Sequence, residues 1–410
     1  MAKSDTEVLK YRDESYDFRD VDTSWGVHGI HPYPAMMVYP IARRLINEYS
    51  KEGGVVLDPF MGSGTVLVES ILHSRSCIGV DLNPLVLLIA NAKTTYIPPK
   101  KLYDSIVKIL SKKENFEYSA PDFFNINFWF KEYVIDNLAR LKAKISAIKD
   151  EDIKRFFLVA FSETVRICSN TRTGEFKLLR IKEPEKHNPN VFSTFERIAS
   201  RNIKKLLETY NNQPHTSAKA IEADSRYDIP DLQPSAIDLV LTSPPYGDSK
   251  TTVAYGQFSR LSLQWLGNEE VTVDKDSLGG SPTESLDTDL PSETVRVIIG
   301  KIKELDDKRA RQVLSFYIDL FACFENINRY LKRGGYICLV VGNRRVKRIT
   351  IPSDSIVVEL LNALGYVHTK TILREIPSKR MPWANSPTNI IGAKETTMNE
   401  ENIIIMQKES

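Results

Sequence analysis

Residues 55–81 read Val55-Val56-Leu57-Asp58-Pro59-Phe60-Met61-Gly62-Ser63-Gly64-Thr65-Val66-Leu67-Val68-Glu69-Ser70-Ile71-Leu72-His73-Ser74-Arg75-Ser76-Cys77-Ile78-Gly79-Val80-Asp81. A short β-branched apolar run ends on an acid. A glycine-bearing turn follows, then an apolar stretch that reads as a helix, then a second apolar run ending on another acid. Strand, tight turn, helix and strand in that order open an α/β fold with a parallel sheet. Gly62 and Gly64 permit the turn and let a ligand approach the backbone, and the helix N-terminus beyond them presents unpaired N–H groups. Asp81 stands at the offset from which a carboxylate accepts hydrogen bonds from ribose hydroxyls. No Gly-Lys-Ser/Thr follows, so the turn is not a phosphate loop. It is not Gly-x-Gly-x-x-Gly either, which leaves nicotinamide and flavin poorly supported. Taken alone, Gly-x-Gly is equally an ordinary tight βα turn.

A second stretch changes that balance. The apolar run from Ala236 to Leu241 leads into Thr242-Ser243-Pro244-Pro245-Tyr246-Gly247. Two prolines fix φ and remove two backbone donors, leaving bare carbonyl acceptors. Ser243 adds a hydroxyl and Tyr246 a flat ring. Such a turn suits a planar group that carries an NH₂, and so transfer of a group onto an exocyclic amine. By itself the tetrapeptide also fits an exposed turn or a polyproline ligand.

The two stretches together resemble the amino-DNA methyltransferases. Asp58-Pro-Phe-Met-Gly-Ser-Gly-Thr65 resembles their S-adenosylmethionine loop, Gly79-Val-Asp-Leu-Asn-Pro84 their second cofactor motif, and Thr242-Ser-Pro-Pro-Tyr246 their catalytic motif. His31-Pro-Tyr-Pro-Ala35, with Arg43-Arg44-Leu45-Ile46 on the next helix, is similar to the segment that covers the methionine end of the cofactor. The likeness spans about 25–84 and 222–247 and continues more weakly to Gly342-Asn343. It implies a Rossmann-like methyltransferase core and S-adenosylmethionine as cofactor. Cofactor binding then falls to His31, Pro32, Tyr33, Pro34, Asp58, Pro59, Phe60, Gly62, Ser63, Gly64, Thr65, Asp81, Leu82, Asn83 and Asp224. Catalysis falls to Ser243, Pro244, Pro245 and Tyr246. Asp224 would accept from the adenine amine; a solvated strand-end acid is the plain alternative.

The acceptor amine is a poor nucleophile because its lone pair is delocalised into the ring. Acceptors on both N–H bonds, from the Ser243 hydroxyl and the Pro244 carbonyl, pull the nitrogen toward tetrahedral geometry. Tyr246 would stack on a base flipped from the duplex. A serine hydroxyl is a poor base, so the proton leaves late, and positioning and electrostatics carry the rate. In this family serine at the first position usually accompanies cytosine N4, whereas aspartate or asparagine accompanies adenine N6. That association points to cytosine N4. The alternatives are N6-adenine methylation, RNA guanine-N2 methylation and an inactive cofactor-binding regulator. C5-cytosine chemistry, which needs a Pro-Cys nucleophile, is not supported: none of the four cysteines follows a proline.

Bulk properties agree with a large catalytic core. The chain has 410 residues and a net charge of +2. No apolar run approaches membrane-span length, and the polar N-terminus lacks a signal core, so a prokaryotic cytoplasmic protein is expected. Cys77, Cys168, Cys323 and Cys338 are far apart, without metal spacing, and read as reduced buried residues; no metal site is expected. Double-stranded DNA is the expected partner. A cognate restriction endonuclease is compatible with such a system, and the oligomeric state is open.

Three regions follow. Residues 1–99 hold an N-terminal arm, a helix over 34–50 and the cofactor half of the core. Residues 100–215 switch to helical spacing (Leu102, Ile106, Ile109; Ile135, Leu138, Leu141, Ile145) and form a mostly helical insert. The insert carries an excess of about seven positive charges, and is the candidate target-recognition domain, with Arg172, Lys177 and Arg180 as candidate DNA contacts. Residues 216–410 resume the α/β pattern, with strands at 218–224, 236–242 and 335–341, helices at 314–331 and 354–364, and closing strands at 367–376 and 402–407 that suit an antiparallel pair. A mobile loop is expected near 270–292. After the catalytic turn, 250–260 offers Tyr255, Phe258 and Arg260 to a flipped base; Phe258, Leu261 and Trp265 read equally as core of the next helix. Residues 250–312 compete with the insert as reader of the DNA site. The basic run Arg344-Arg345-Val346-Lys347-Arg348 suits phosphate contact or a solvated turn. In a doubly wound sheet, ligands sit at the carboxyl ends of strands. Asp58, Asp81, Asp224 and Ser243 should therefore meet.

Overall fold

The computed structural model describes residues 10–409 apart from 112–116, 173, 212–213, 249–252, 269–271, 378–383, 386–394 and 397–399. The chain enters the sheet at its edge with Lys10–Arg12 (β1), then runs through Tyr39–Tyr49 (α1), Val55–Asp58 (β2), Thr65–Leu72 (α2), Ser76–Asp81 (β3) and Pro84–Thr94 (α3). Five helices follow without a strand: Pro99–Leu110 (α4), Ile126–Trp129 (α5), Glu132–Ser146 (α6), Glu151–Cys168 (α7) and Val191–Thr209 (α8). The sheet resumes with Ala218–Glu222 (β4) and Ile237–Thr242 (β5), followed by Tyr255–Leu266 (α9), Val273–Asp276 (α10), Glu293–Leu305 (α11) and Asp307–Tyr330 (α12). Leu331–Val341 (β6), the small hairpin Arg344–Val346 (β7) and Ile349–Ile351 (β8), Ser353–Ala363 (α13) and Tyr366–Glu375 (β9) come next. A second short pair, Ala384–Asn385 (β10) and Glu395–Thr396 (β11), precedes the last strand, Glu400–Lys408 (β12). The first helix starts later than the 34–50 expected, because Pro40 takes its first turn and residues 33–37 are spent on the cleft described below.

The main sheet has the order β1-β9-β12-β6-β5-β2-β3-β4. Every pairing in it is parallel except those of β12, which runs antiparallel between β6 and β9. The chain winds outward from β2 through β3 to β4, then crosses back to β5 on the other side of β2. That reversal is the switch point at which such sheets open a crevice. This is a Rossmann-like, doubly wound core with a helical insert between β3 and β4.

Side-chain alternation sorts the sheet onto two cores, as the strand period of two requires. Val56, Leu239, Leu241, Val340, Ile403 and Ile405 face one apolar cluster, while Leu57, Val240, Ile337, Leu339, Ile404 and Met406 face the other. The first cluster also contains Leu102, Phe156, Phe161 and Phe195 of the insert. The insert therefore has no separate core; its helices cover one sheet face. The second face is covered by α11–α13 through Ile302, Leu314, Tyr317 and Leu360. All four cysteines are buried thiols. Among the described residues no helix is long and apolar enough to cross a membrane.

Candidate active site

At the switch point a cleft of about 940 Å³, counting its open mouth, lies over the ends of β2, β3 and β5. Its walls include Tyr33, Pro34, Asp58, Pro59, Phe60, Gly62, Ser63, Thr65, Asp81, Leu82, Asn83, Asp224, Ser243, Pro245 and Tyr255. The four strand-end residues Asp58, Asp81, Asp224 and Ser243 thus meet on one cleft.

The cofactor-type side is set by backbone. Gly62 has φ +47° with open space where a Cβ would stand, so ligand atoms can reach its main chain. Gly64, at φ +80°, caps α2, and a Cβ there would come within 2.8 Å of the Ala90 Cβ. It is held by packing against α3 and does not line the cleft. The Asp81 carboxylate accepts from the backbone N–H of Gly62 at 3.0 Å and of Asn83 at 2.9 Å. Burial nevertheless pushes its pKa up to about 6. Asn83 caps α3 and donates to Ser259 Oγ at 2.8 Å and Tyr33 Oη at 3.1 Å. Tyr33 stacks on Tyr255, so residue 33, the end of β3 and α9 form one wall.

Asp58 couples the two sides. It accepts from Thr242 Oγ1 at 2.6 Å and from the Phe60 N–H at 3.2 Å, and burial raises its pKa to about 7. Both contacts fall on Oδ1, and the one from Thr242 straps β2 to β5. Asp224 faces the cleft, two residues past β4, with both oxygens engaged by Arg226 (Nε–Oδ1 3.0 Å, Nη2–Oδ2 2.6 Å).

On the β5 side, Ser243 Oγ lies 3.1 Å from the Val340 carbonyl and donates to it. The donation leaves the serine lone pairs as acceptors. Tyr246 Oη donates to Glu401 Oε1 at 2.8 Å and lies 3.4 Å from Ser243 Oγ. Burial and the neighbouring Glu401 carboxylate raise the Tyr246 pKa well above its ordinary value. Directly behind the turn, the buried Asp248 is gripped by Arg309 (3.1 and 2.7 Å) and Arg344 (3.1 Å).

Several expected residues stand elsewhere. His31 and Pro32 do not line the cleft. His31 is buried, 3.1 Å from Ser162 Oγ, and burial, with Lys93, Arg201 and Arg166 nearby, lowers its pKa to about 3. It is a neutral packing residue, and Tyr33, Pro34 and Ala35 take the lining role. Phe258 is also core: it packs against His31, Tyr33 and Phe176, with the Arg166 guanidinium 4.1 Å from its ring centre. Trp265 is fully buried. Arg260 is exposed, and residues 250–252 lie outside those described. Pro244 and Tyr246 do not line this cleft, and Tyr246 is half-buried. Within the basic run, Arg344 is a buried partner of Asp248 and Lys347 pairs with Asp306 at 2.9 Å, while Arg345 and Arg348 are exposed.

Sequence reading missed Met36, Met37, Ser225, Val273, Ser277 and Leu278, all in the lining. It also missed Lys93, which is fully buried and donates to Ser63 Oγ at 3.1 Å behind the glycine turn. Burial brings the Lys93 pKa down to about 7. Nothing marks any of these in the sequence: each is a common residue outside a motif.

The comparisons agree with this geometry. Residues 2–92 match the family model described as DNA methylase. The type II methyltransferase M.MvaI of Kocuria varians is 42% identical over 423 residues, covering 95% of this chain and 93% of that protein. M.SmaI of Serratia marcescens is 39% identical over 75 residues, 17% of this chain and 25% of that protein. Among solved structures, a putative DNA modification methylase from Thermus thermophilus aligns at 18% identity and TM-score 0.25, over 46% of this chain and 52% of that one. The cleft at the switch point and the full-length likeness to M.MvaI lead to one conclusion: this chain belongs to the amino-DNA methyltransferases of restriction–modification type, with S-adenosylmethionine as cofactor.

Proposed function

We propose that the chain methylates the N4 amine of a cytosine flipped out of duplex DNA at a specific site. The observation that carries this reading is the Ser243–Val340 hydrogen bond. With its proton committed to a main-chain carbonyl, the serine can only accept, as an amine N–H requires. Its partner acceptor is the Pro244 carbonyl, and Tyr246 supplies the stacking ring. The choice of cytosine rests on serine, rather than aspartate or asparagine, at position 243.

The cofactor's groups match what the cleft offers. Asp81 would take the ribose hydroxyls, the open main chain at Gly62 and the wall of Tyr33 and Pro34 the methionine portion, and Phe60 an apolar side of the pocket. Asp224 would meet the adenine amine while shared with Arg226. When bound, S-adenosylmethionine supplies an electrophilic methyl group on a sulfonium. The protein's part is to hold the amine in line, exclude water and bear the developing positive charge on nitrogen through Ser243 and Pro244. The proton leaves after transfer, and no covalent enzyme intermediate is needed.

The insert is proposed as the reader of the DNA site. Arg172 and Lys177 are exposed, and Arg180 stacks 4.1 Å from the centre of the exposed Phe128 ring. The same loop touches α9 beside the cleft, through Leu178 N–H to Gln257 Oε1 at 3.4 Å. Charge reversal at Arg172, Lys177 and Arg180 should weaken DNA binding by roughly tenfold or more at moderate salt and leave cofactor affinity intact. Unchanged DNA affinity would reject the assignment. The base is tested by incubating the protein with S-adenosylmethionine and unmethylated genomic DNA, then hydrolysing the DNA for mass spectrometry. N4-methylcytosine is expected; N6-methyladenine alone would overturn the cytosine reading.

A further inference from the structure

The last strand begins at the cleft because it runs antiparallel. Asn402 pairs with Val341 at the carboxyl end of β6, and Glu401 stands directly opposite Arg374 of β9. Glu401 therefore lies one residue beyond the Asn402–Val341 pair, at the carboxyl end of β6 that also carries Val340, the residue that orients Ser243. One carboxylate oxygen accepts from Tyr246 Oη at 2.8 Å, and the other accepts from Arg374 Nη1. Arg374 is itself buried and fixed by the N-terminal arm, with Nε donating to the Tyr16 carbonyl at 2.8 Å and Nη2 to that of Asp17 at 3.5 Å. Asp17 is held in turn by Arg12 and by the Glu375 N–H at 2.9 Å. The hydroxyl of the stacking tyrosine is thus at the end of a chain of buried polar contacts that reaches the sheet edge.

We propose that Glu401 is a positioning residue for Tyr246, setting the pitch of the ring against the target base, with Arg374 and the 10–17 arm fixing Glu401. The proposal rests on the role given to Tyr246 above, and not on which base is methylated. A tyrosine ring that only stacks can swing about its Cα–Cβ bond together with the turn that carries it, a motion that displaces Oη. A hydrogen bond at the far end of the ring removes it. Glu401 acts through Tyr246, and small errors of placement at a reacting centre are costly.

The test is a double-mutant cycle on turnover with Glu401→Ala, Tyr246→Phe and both together. Methyl transfer is counted as tritium passed from S-adenosylmethionine to unmethylated genomic DNA. Total tritium counts either base, so the product analysis that tests the cytosine reading is separate. Tyr246→Phe keeps the Arg374–Glu401 pair and hence its fold. It is expected to lower kcat by roughly tenfold, with affinity for S-adenosylhomocysteine within about twofold. Glu401→Ala should lower kcat at least as far, and the double variant no further than Glu401→Ala alone, since both remove the same contact. Glu401→Gln, whose amide oxygen still accepts from the hydroxyl, should recover most of the turnover. Multiplicative losses in the double variant, a Tyr246→Phe protein with wild-type kcat, or a Glu401→Gln protein as slow as Glu401→Ala would each overturn the proposal.

Discussion

The main chain of the glycine-turn side of the cleft comes from one short stretch, β2 to the start of α3, with Tyr33 and Tyr255 completing its wall. The β5 side draws its supports from Val340, Glu401, Arg309 and Arg344, which stand 97, 155, 61 and 96 residues from the groups they hold. On the first side the work is done by main chain: a left-handed glycine, a carboxylate capped by two backbone N–H groups, a helix terminus. On the second it is done by distant partners: the Val340 main-chain carbonyl and the buried or half-buried charged side chains of Glu401, Arg309 and Arg344. Main-chain geometry is insensitive to most substitutions, whereas a buried charged contact is lost with one of its partners. The two sides should therefore fail differently.

The largest expected effect is on the β5 side and is structural. Asp248→Ala deprives Arg309 and Arg344 of a buried carboxylate and should cost about 3–5 kcal/mol of stability, read by urea unfolding. A wild-type midpoint would show that the clamp behind the turn is dispensable. Next, Tyr246→Ala and Ser243→Ala should each lower kcat, the first by roughly a hundredfold, with cofactor affinity within about twofold. Wild-type turnover in either would break the division of labour between the two sides. The converse variant is Asp81→Ala. Loss of a charged acceptor should raise the Kd for S-adenosylhomocysteine by roughly tenfold or more, while kcat at saturating cofactor stays near wild type. A fall in kcat with unchanged Kd would invert the comparison.

The smallest effects are in pH. The Asp81 pKa is raised to about 6 by burial, so the carboxylate protonates and loses acceptor capacity as pH falls through that value. Cofactor affinity should decline below about pH 6, and Asp81→Asn should flatten the dependence. Folding stability follows the usual linkage. Asp58, raised to about 7, adds stability that is complete below its unfolded pKa and is lost as pH rises through 7. Lys93, lowered to about 7, works in the opposite sense: its contribution is complete above its unfolded pKa and is lost as pH falls through 7. Lys93→Met should therefore gain on wild type in thermal melts as pH drops from the alkaline range toward 7, and identical pH profiles would contradict a buried charge there.

The glycine-turn side was legible because its signals are local. Strand ends, glycines and acids at fixed offsets place Asp58, Gly62, Asp81 and Asn83 without any knowledge of what packs on them. Where local reading failed, a motif residue had been drawn inward. His31 sits in a segment whose next residues line the cleft, yet its ring turns to Ser162 of the insert. Phe258 follows the Ser243–Tyr246 turn closely in sequence, but α9 rotates it into the core. Glu401 and Lys93 carry no sequence signal, since a lone glutamate on a late strand and a lone lysine on a helix are ordinary surface residues until the fold buries them.

The sequence by itself determined the fold class and the local shape of the glycine turn and of the Ser243–Tyr246 turn. Each of these depends on φ/ψ preference, hydrophobic period and functional groups within a few neighbouring residues. Only the tertiary structure decided that the Ser243 hydroxyl donates to Val340, that Tyr246 is tethered to Glu401 and that Asp58 straps two strands together. Those properties belong to pairs of residues far apart in the chain. Hydrogen-bond direction and burial are set by the partner the fold supplies, and no residue carries that information alone.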